Sequence, residues 1–315
     1  MKFIKYISVI SLTVIVITSC RVTKTYQTPE VRTDGLYRGV NAADTNTIAK
    51  LKWTEIFTDT ALQSLIREGI HNNLDLKIAY TRVQQAEAYY RQSRSAFFPS
   101  LSANAGVAES RLSAVQGFGI RNNATQYQIA VSSSWEADVW GRLSSSKRAS
   151  LANFLQTDAA ARAVQTGLVA TIANYYFSLL ALDQQLAITE QTVRNWDTTV
   201  TTMRALKEAA TVTEAAVVQS EAQRYAAEVT IPDLKQRIRE TENALSILLG
   251  RAPAAIARGR HQDEKPVEVL RVGIPLQLLA NRPDVQQAEL AYRNSFELTN
   301  VARTAFYPSI QITGS

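Results

Sequence analysis

The chain holds a single cysteine, Cys20, in 315 residues, so no disulfide can form within it. It has only 12 glycines and 8 prolines. So few breakers favour long, uninterrupted helices. Its two histidines, His71 and His261, stand far apart in polar contexts, and neither has a partner at metal-ligand spacing. There is no nucleophile elbow, no P-loop and no dinucleotide fingerprint. The sequence therefore offers no catalytic residue, no cofactor-binding residue, no metal ligand and no implied cofactor, and it reads as not an enzyme. The net charge is +6, of which Lys2 and Lys5 belong to a segment that reads as removed. The remaining excess gathers into no basic run, which argues against a nucleic-acid partner. No later stretch approaches ~18 consecutive apolar residues, so no transmembrane helix is expected. Hydrophobic residues at 46% and charged residues at 20% exclude a disordered chain.

Residues 1–19 read as a secretory signal. Lys2 and Lys5 form its positive end, and Ile7 to Ile17 is an apolar run too short to span a bilayer. The run ends in Ile17-Thr18-Ser19-Cys20, which resembles the bacterial lipobox: an aliphatic residue and two small ones before a cysteine. That resemblance makes Cys20 the lipidated N-terminus of the mature chain, and several acyl chains on one residue give stable anchoring. Arg21 is permissive for the outer membrane. The alternative is an ordinary signal peptide with an incidental cysteine.

Residues 20–50 are polar and without period, as expected of an extended tether. A helix is expected after Asp59, and a second over 74–96, ending at Phe97-Phe98-Pro99. The period then changes to two. Leu101, Ala103, Ala105 and Val107 alternate with polar or small residues, and Tyr127, Ile129, Val131 and Trp135 alternate with Gln128, Ser132, Ser134 and Glu136. Half-buried strands carry this pattern. A β-hairpin over about 98–138 suits either a membrane barrel, with lipid outside and water inside, or a soluble hairpin.

From Ser144 the helical period returns. Leu168, Ile172, Tyr175, Leu179, Leu182, Leu186, Thr189, Val193, Trp196, Val200 and Met203 recur at spacings of four and three, and the seam extends back through Ala161, Phe154 and Leu151. Coiled-coil packing has this signature. A helix over 144–206 would be ~95 Å long. A break near Ala209–Thr213 offers Thr211 with Glu214 as a capping box, or Thr213 as N-cap. The return helix repeats the seam through Val217, Ala227, Ile231, Leu234, Ile238, Leu245 and Leu248. Pro232 should kink it, and Gly250 with Pro253 should stop it. A helical hairpin over about 144–250 results.

Residues 72–101 align without a gap on residues 281–310, at a constant offset of 209. Ala-Phe-Phe-Pro-Ser-Leu (96–101) faces Ala-Phe-Tyr-Pro-Ser-Ile (305–310). A repeated helix-to-strand junction implies a repeated unit. The first unit is expected over 51–275 and the second, incomplete, over 276–315. On this reading the chain is truncated inside a strand, with about 120 to 170 further residues expected to complete the second unit.

Several short motifs keep one order along nearly the whole chain. They include Asn73-Leu74-Asp75-Leu76, Phe98-Pro99-Ser100-Leu101, and Trp135-Glu136-Ala137-Asp138-Val139-Trp140-Gly141-Arg142. Ile231-Pro232-Asp233-Leu234, Leu248-Leu249-Gly250 and Asn281-Arg282-Pro283-Asp284-Val285 follow. Together they resemble the TolC-like outer membrane factors, in particular the NodT-type lipoprotein branch serving RND efflux pumps. The resemblance implies a mainly α fold with a β-barrel contribution, in which a homotrimer shares one barrel and a helical tunnel. It implies a Gram-negative outer-membrane location among lipids, and partnership with a periplasmic adaptor and an inner-membrane pump. Its function would be passive export of drugs, metals or other solutes from periplasm to exterior. The family's adaptor-docking tip falls on Ala210, Thr211 and Thr213, with Ala210 where a glycine is usual. Its gate residues lie in a second hairpin that these residues do not include.

Trp135 and Trp140 are candidates for the membrane interface, or else packing residues where strand meets helix. Glu136 and Asp138 have the spacing of a catalytic carboxylate pair, or are simply polar residues at the strand exit. Beside the channel stand two alternatives: a non-conducting coiled-coil structural or adaptor lipoprotein or inactive truncated fragment, and an unrecognised enzyme.

Overall fold

The computed structural model describes residues 22–30, 51–111, 123–259 and 281–315. The signal segment, Cys20, most of the tether, His261 and the start of the second repeat near Leu276 lie outside the described residues. The elements are helices α1 (Trp53–Ile56), α2 (Thr60–Asn72) and α3 (Leu74–Ser95), strands β1 (Ser100–Arg111) and β2 (Asn123–Ala137), and helices α4 (Arg142–Glu208), α5 (Glu214–Glu228), α6 (Thr230–Leu248) and α7 (Pro283–Thr304), ending in strand β3 (Ile310–Gly314). No helix among the described residues is long and apolar enough to cross a membrane. The fold is mainly α with a small β component.

The chain divides into two compact units. One contains Ala159–Val285 and the described part of residues 33–81. Its core is helical. Leu62, Leu65 and Ile66 of α2 pack with Leu76 of α3, with Leu168, Val169, Ile172, Ala173, Tyr176, Leu179 and Leu180 of α4, and with Leu245 and Leu249 at the end of α6. Each such buried aliphatic side chain contributes roughly 1.5–3 kcal/mol. Asp59 caps α2 by accepting from the Ala61 N–H at 2.7 Å. Asn73, almost fully buried, accepts from the Leu76 N–H at 2.9 Å and donates to the Leu248 carbonyl at 3.0 Å, so one amide closes the start of α3 and the end of α6.

α4 runs for 67 residues, ~100 Å at the α-helical rise. Every position of its expected seam from Leu168 to Met203 is shielded from full exposure. Its polar face is rich in threonine, and Thr198, Thr199, Thr201 and Thr202 each donate their hydroxyl to the carbonyl four residues earlier. The backward extension of the seam needs correcting. Ala161 is buried, but Leu151 and Phe154 are only half-buried, and Ala149, Ala152 and Ala159 take the buried positions.

The return limb also differs from expectation. It breaks at Val229 rather than bending at Pro232, dividing α5 from α6. The break leaves Pro232 in the first turn of α6, where a missing N–H costs no helical hydrogen bond. The capping box of Thr211 with Glu214 does not form. Thr213 is the N-cap by position, with no side-chain hydrogen bond to the helix, and the Thr211 hydroxyl donates to Ala209 at 3.4 Å.

The second unit contains Arg82–Asp158, Gln286–Ser315 and residues 22–30. Its sheet has the order β1-β2-β3, antiparallel throughout. The two copies of the repeat share the turn that ends their helices. α3 and α7 begin and end at positions 209 apart. Phe97 and Phe98 donate their N–H groups to Arg94 and Ser95 at 3.4 and 3.0 Å, and Phe306 and Tyr307 donate to Arg303 and Thr304 at 3.4 and 3.1 Å.

Candidate functional site

The register of the sheet sorts its residues by polarity. Ala103 faces Val131, Ala105 faces Ile129 and Val107 faces Tyr127. Trp135 faces Ile312 and Ala137 faces Ile310. With Leu101, these put the large apolar side chains on one face, which Ser133 interrupts opposite Leu101. The other face pairs Ser102 with Ser132, Asn104 with Ala130, Gly106 with Gln128, and Glu136 with Gln311. Nothing among the described residues covers the apolar face. Ile129 is 86% exposed, Tyr127 77% and Leu101 76%. A face this apolar and this open belongs against another apolar phase.

The joint between β2 and α4 is held by polar bonds. Asp138 accepts from the N–H groups of Leu143 and Ser144, both at 2.8 Å, and so caps the long helix. Glu136 binds Arg142 through both carboxylate oxygens, and this pairing is the main cause holding the guanidinium above its ordinary pKa. The two carboxylates are thus committed to the strand exit. Trp135 Nε1 donates to the Phe97 carbonyl at 3.0 Å, and Trp140 Nε1 donates to the Pro308 carbonyl at 2.9 Å, with its ring 4.9 Å from Tyr307. The structure therefore brings Trp135 and Trp140 to one joint, each tied to one copy of the repeat.

Ala210, Thr211 and Thr213 come together in the exposed turn between α4 and α5, which lies in the other compact unit. Ala210 has φ of 54°, the left-handed region that disfavours a Cβ. Its N–H donates to Lys207 at 2.9 Å and the Thr211 N–H donates to Leu206 at 2.8 Å, the two bonds of a Schellman motif. Lys207 and Glu214 pair across the turn. His71 stands in the last turn of α2.

Comparison with known proteins decides the family. A family model described as outer membrane efflux protein matches residues 65–251. The chain belongs to the outer membrane efflux protein family. Within it, the chain is 29% identical to the toluene efflux pump outer membrane protein TtgC of Pseudomonas putida, over 97% of this chain and 65% of that protein. It is 31% identical to the cation efflux system protein CusC of Escherichia coli, over 94% of this chain and 65% of that protein. Among solved structures, the open state of the MtrE outer membrane channel of Neisseria gonorrhoeae superposes with a TM-score of 0.80 at 25% identity, covering 93% of this chain and 66% of that one. The chain thus spans about two thirds of the length of these outer membrane efflux proteins.

Sequence reasoning about the site missed Asp138 as the helix cap. An aspartate just ahead of a helical pattern was the available signal.

Proposed function

We propose that the protein is the outer-membrane channel component of a tripartite efflux pump, providing a passive, water-filled path from periplasm to exterior. The observation that carries this reading is the sheet that gathers all its large apolar side chains on one face, from Leu101 to Val107 and across to Trp135 and Ile312, and only polar or small residues on the other, both open to the surroundings. Lipid would cover the first face and water the second. Three strands cannot close on themselves, and an open edge in lipid leaves backbone groups unpaired. Closure therefore needs further strands, and a homotrimer sharing one barrel supplies them. Trp135 and Trp140 would stand near the membrane interface, and Cys20 would carry the lipid anchor. The turn at Ala210, Thr211 and Thr213 would meet the periplasmic adaptor, which links the channel to an inner-membrane pump. The division into signal (1–19), tether (20–50), first unit (51–275) and second unit (from 276) belongs to the same proposal. The cargo class is that of the family: solvents, drugs or metal cations handed over by the pump, moved without covalent chemistry.

The test is to extract the full-length protein, with its second unit complete, from outer membranes in mild detergent, measure its oligomeric state, and reconstitute it in planar bilayers. Stable trimers with single-channel conductance are expected. Protein that partitions into the membrane but never conducts would replace the channel with a coiled-coil spacer.

A further inference from the structure

The described N-terminal residues 22–30 form neither helix nor strand, yet one of them is gripped as a strand would grip it. Asn300 of α7 is fully buried. Its Oδ1 accepts from the Lys24 N–H at 3.1 Å, and its Nδ2 donates to the Lys24 carbonyl at 2.9 Å. Both backbone groups of one residue are satisfied by one amide. The amide is itself oriented: Nδ2 also donates to Glu297 at 3.2 Å, and Arg303 donates to Oδ1 at 3.1 Å. Glu297, 2% exposed, is held in turn by Arg148 at 2.8 Å. Two residues on, the Tyr26 ring packs on Phe296 and Tyr292 at 5.6 and 5.9 Å, with the Arg293 guanidinium 5.5 Å from its centre. Thr23 lies against Gly141, where an added Cβ would stand 3.3 Å from the Thr23 side chain.

The repeat supplies an internal control. At the equivalent positions of α3 stand Val83, Gln84, Glu87, Ala88 and Arg91, in place of Tyr292, Arg293, Phe296, Glu297 and Asn300. Glu87 and Arg91 instead pair with each other at 2.6 Å on an exposed surface. The two helices share ends, junctions and length, and the gripping set is found on α7. Shared architecture therefore does not account for it.

We infer that α7 carries a dedicated receptor for the N-terminal segment, built around Asn300, which fixes the point where the membrane anchor leaves the body. This rests on the reading of Cys20 as the acylated residue. Thr23 lies three positions after Cys20, a reach of at most about 10 Å. Thr23 is seated against Gly141, next to Trp140 and one residue before α4. The receptor thus delivers the acyl chains beside the β2–α4 joint, at the level where the strands end. A tether free from Cys20 to residue 50 would leave that level unset.

The experiment treats the mature protein in mild detergent with an endoproteinase that cuts only after lysine, and follows release of the fragment Cys20–Lys24 by mass spectrometry. The wild type is expected to resist cutting at Lys24, because both backbone groups there are engaged. Asn300→Ala should release the fragment ~10-fold faster or more, from the loss of two hydrogen bonds. Tyr26→Ala, a change on the segment itself that leaves the body intact, should also speed release without altering the melting temperature. Arg91→Ala, at the equivalent place on α3, should leave the rate unchanged. Wild-type protein cut at Lys24 as fast as Asn300→Ala overturns the receptor. A released fragment that carries no acyl mass overturns the anchor reading and leaves the receptor standing.

Discussion

Two residues with the same backbone conformation show what a side chain costs there. Ala210 and Gly250 both occupy the left-handed position of a Schellman motif, with φ of 54° and 66°. At Gly250, a Cβ would stand 2.8 Å from the Asn72 carbonyl oxygen. At Ala210 the turn is exposed and only the conformational cost is met. Ala210→Gly is therefore expected to raise stability by about 1 kcal/mol, read from chemical denaturation. Gly250→Ala is expected to lower it by about 2–3 kcal/mol, since conformation and backbone clash add. If the two changes proved equal in size, the clash argument would be wrong. The glycine stop at 250 was legible in the sequence. The left-handed alanine was not, because nothing about an alanine between two helices announces its φ.

At the scale of elements, the long helix and its return limb are held in register by charge. Lys207 pairs with Glu214 and Arg204 with Glu221, whereas Asp197 pairs with Arg224 and Glu190 with Lys235. The sign on α4 changes between the second and third pairs. A slip of one heptad in either direction would set Glu190 against Glu228 or Glu242, so the wrong registers are penalised. Arg204→Glu is expected to lower the melting temperature, and adding Glu221→Arg to restore it. A double variant no better than the single one would remove charge from the account of register. The seam at spacings of three and four was readable from the sequence because it is local. The pairing of charges was not, because it depends on where the turn folds the two limbs together.

The same element scale includes a clasp beyond the hairpin. Arg258 donates to both oxygens of Asp183, at 2.5 and 2.9 Å, and to Glu242 at 2.6 Å. The hydrogen bond to Asp183 is the main cause holding the guanidinium above its ordinary range. A raised arginine keeps its stabilising charge at all lower pH values and loses it only in strong alkali. Arg258→Ala is expected to cost roughly 3 kcal/mol in denaturant melts, since two carboxylates would lose their partner. A loss within experimental error would show the clasp to be incidental.

For the whole molecule, the faces of the sheet set the environment it needs. Ile129 and Gln128 are neighbours in sequence on opposite faces. Ile129→Arg is expected to cost about 2–4 kcal/mol in a bilayer and to deplete the protein from the outer-membrane fraction, while Gln128→Arg is tolerated. Equal recovery of both variants would speak for a soluble hairpin.

The sequence by itself determined the helical and strand periods, the repeat at a constant offset, and the place where the long hairpin turns. Each of these is a local pattern of side-chain polarity, and solvent sorts such patterns before any distant contact forms. Tertiary structure alone decided two other things. It aligned three strands so that their apolar residues fall on one face. It also brought the Lys24 backbone to Asn300, 276 positions away. These depend on which backbone groups meet across the fold, and no spacing along the chain encodes that.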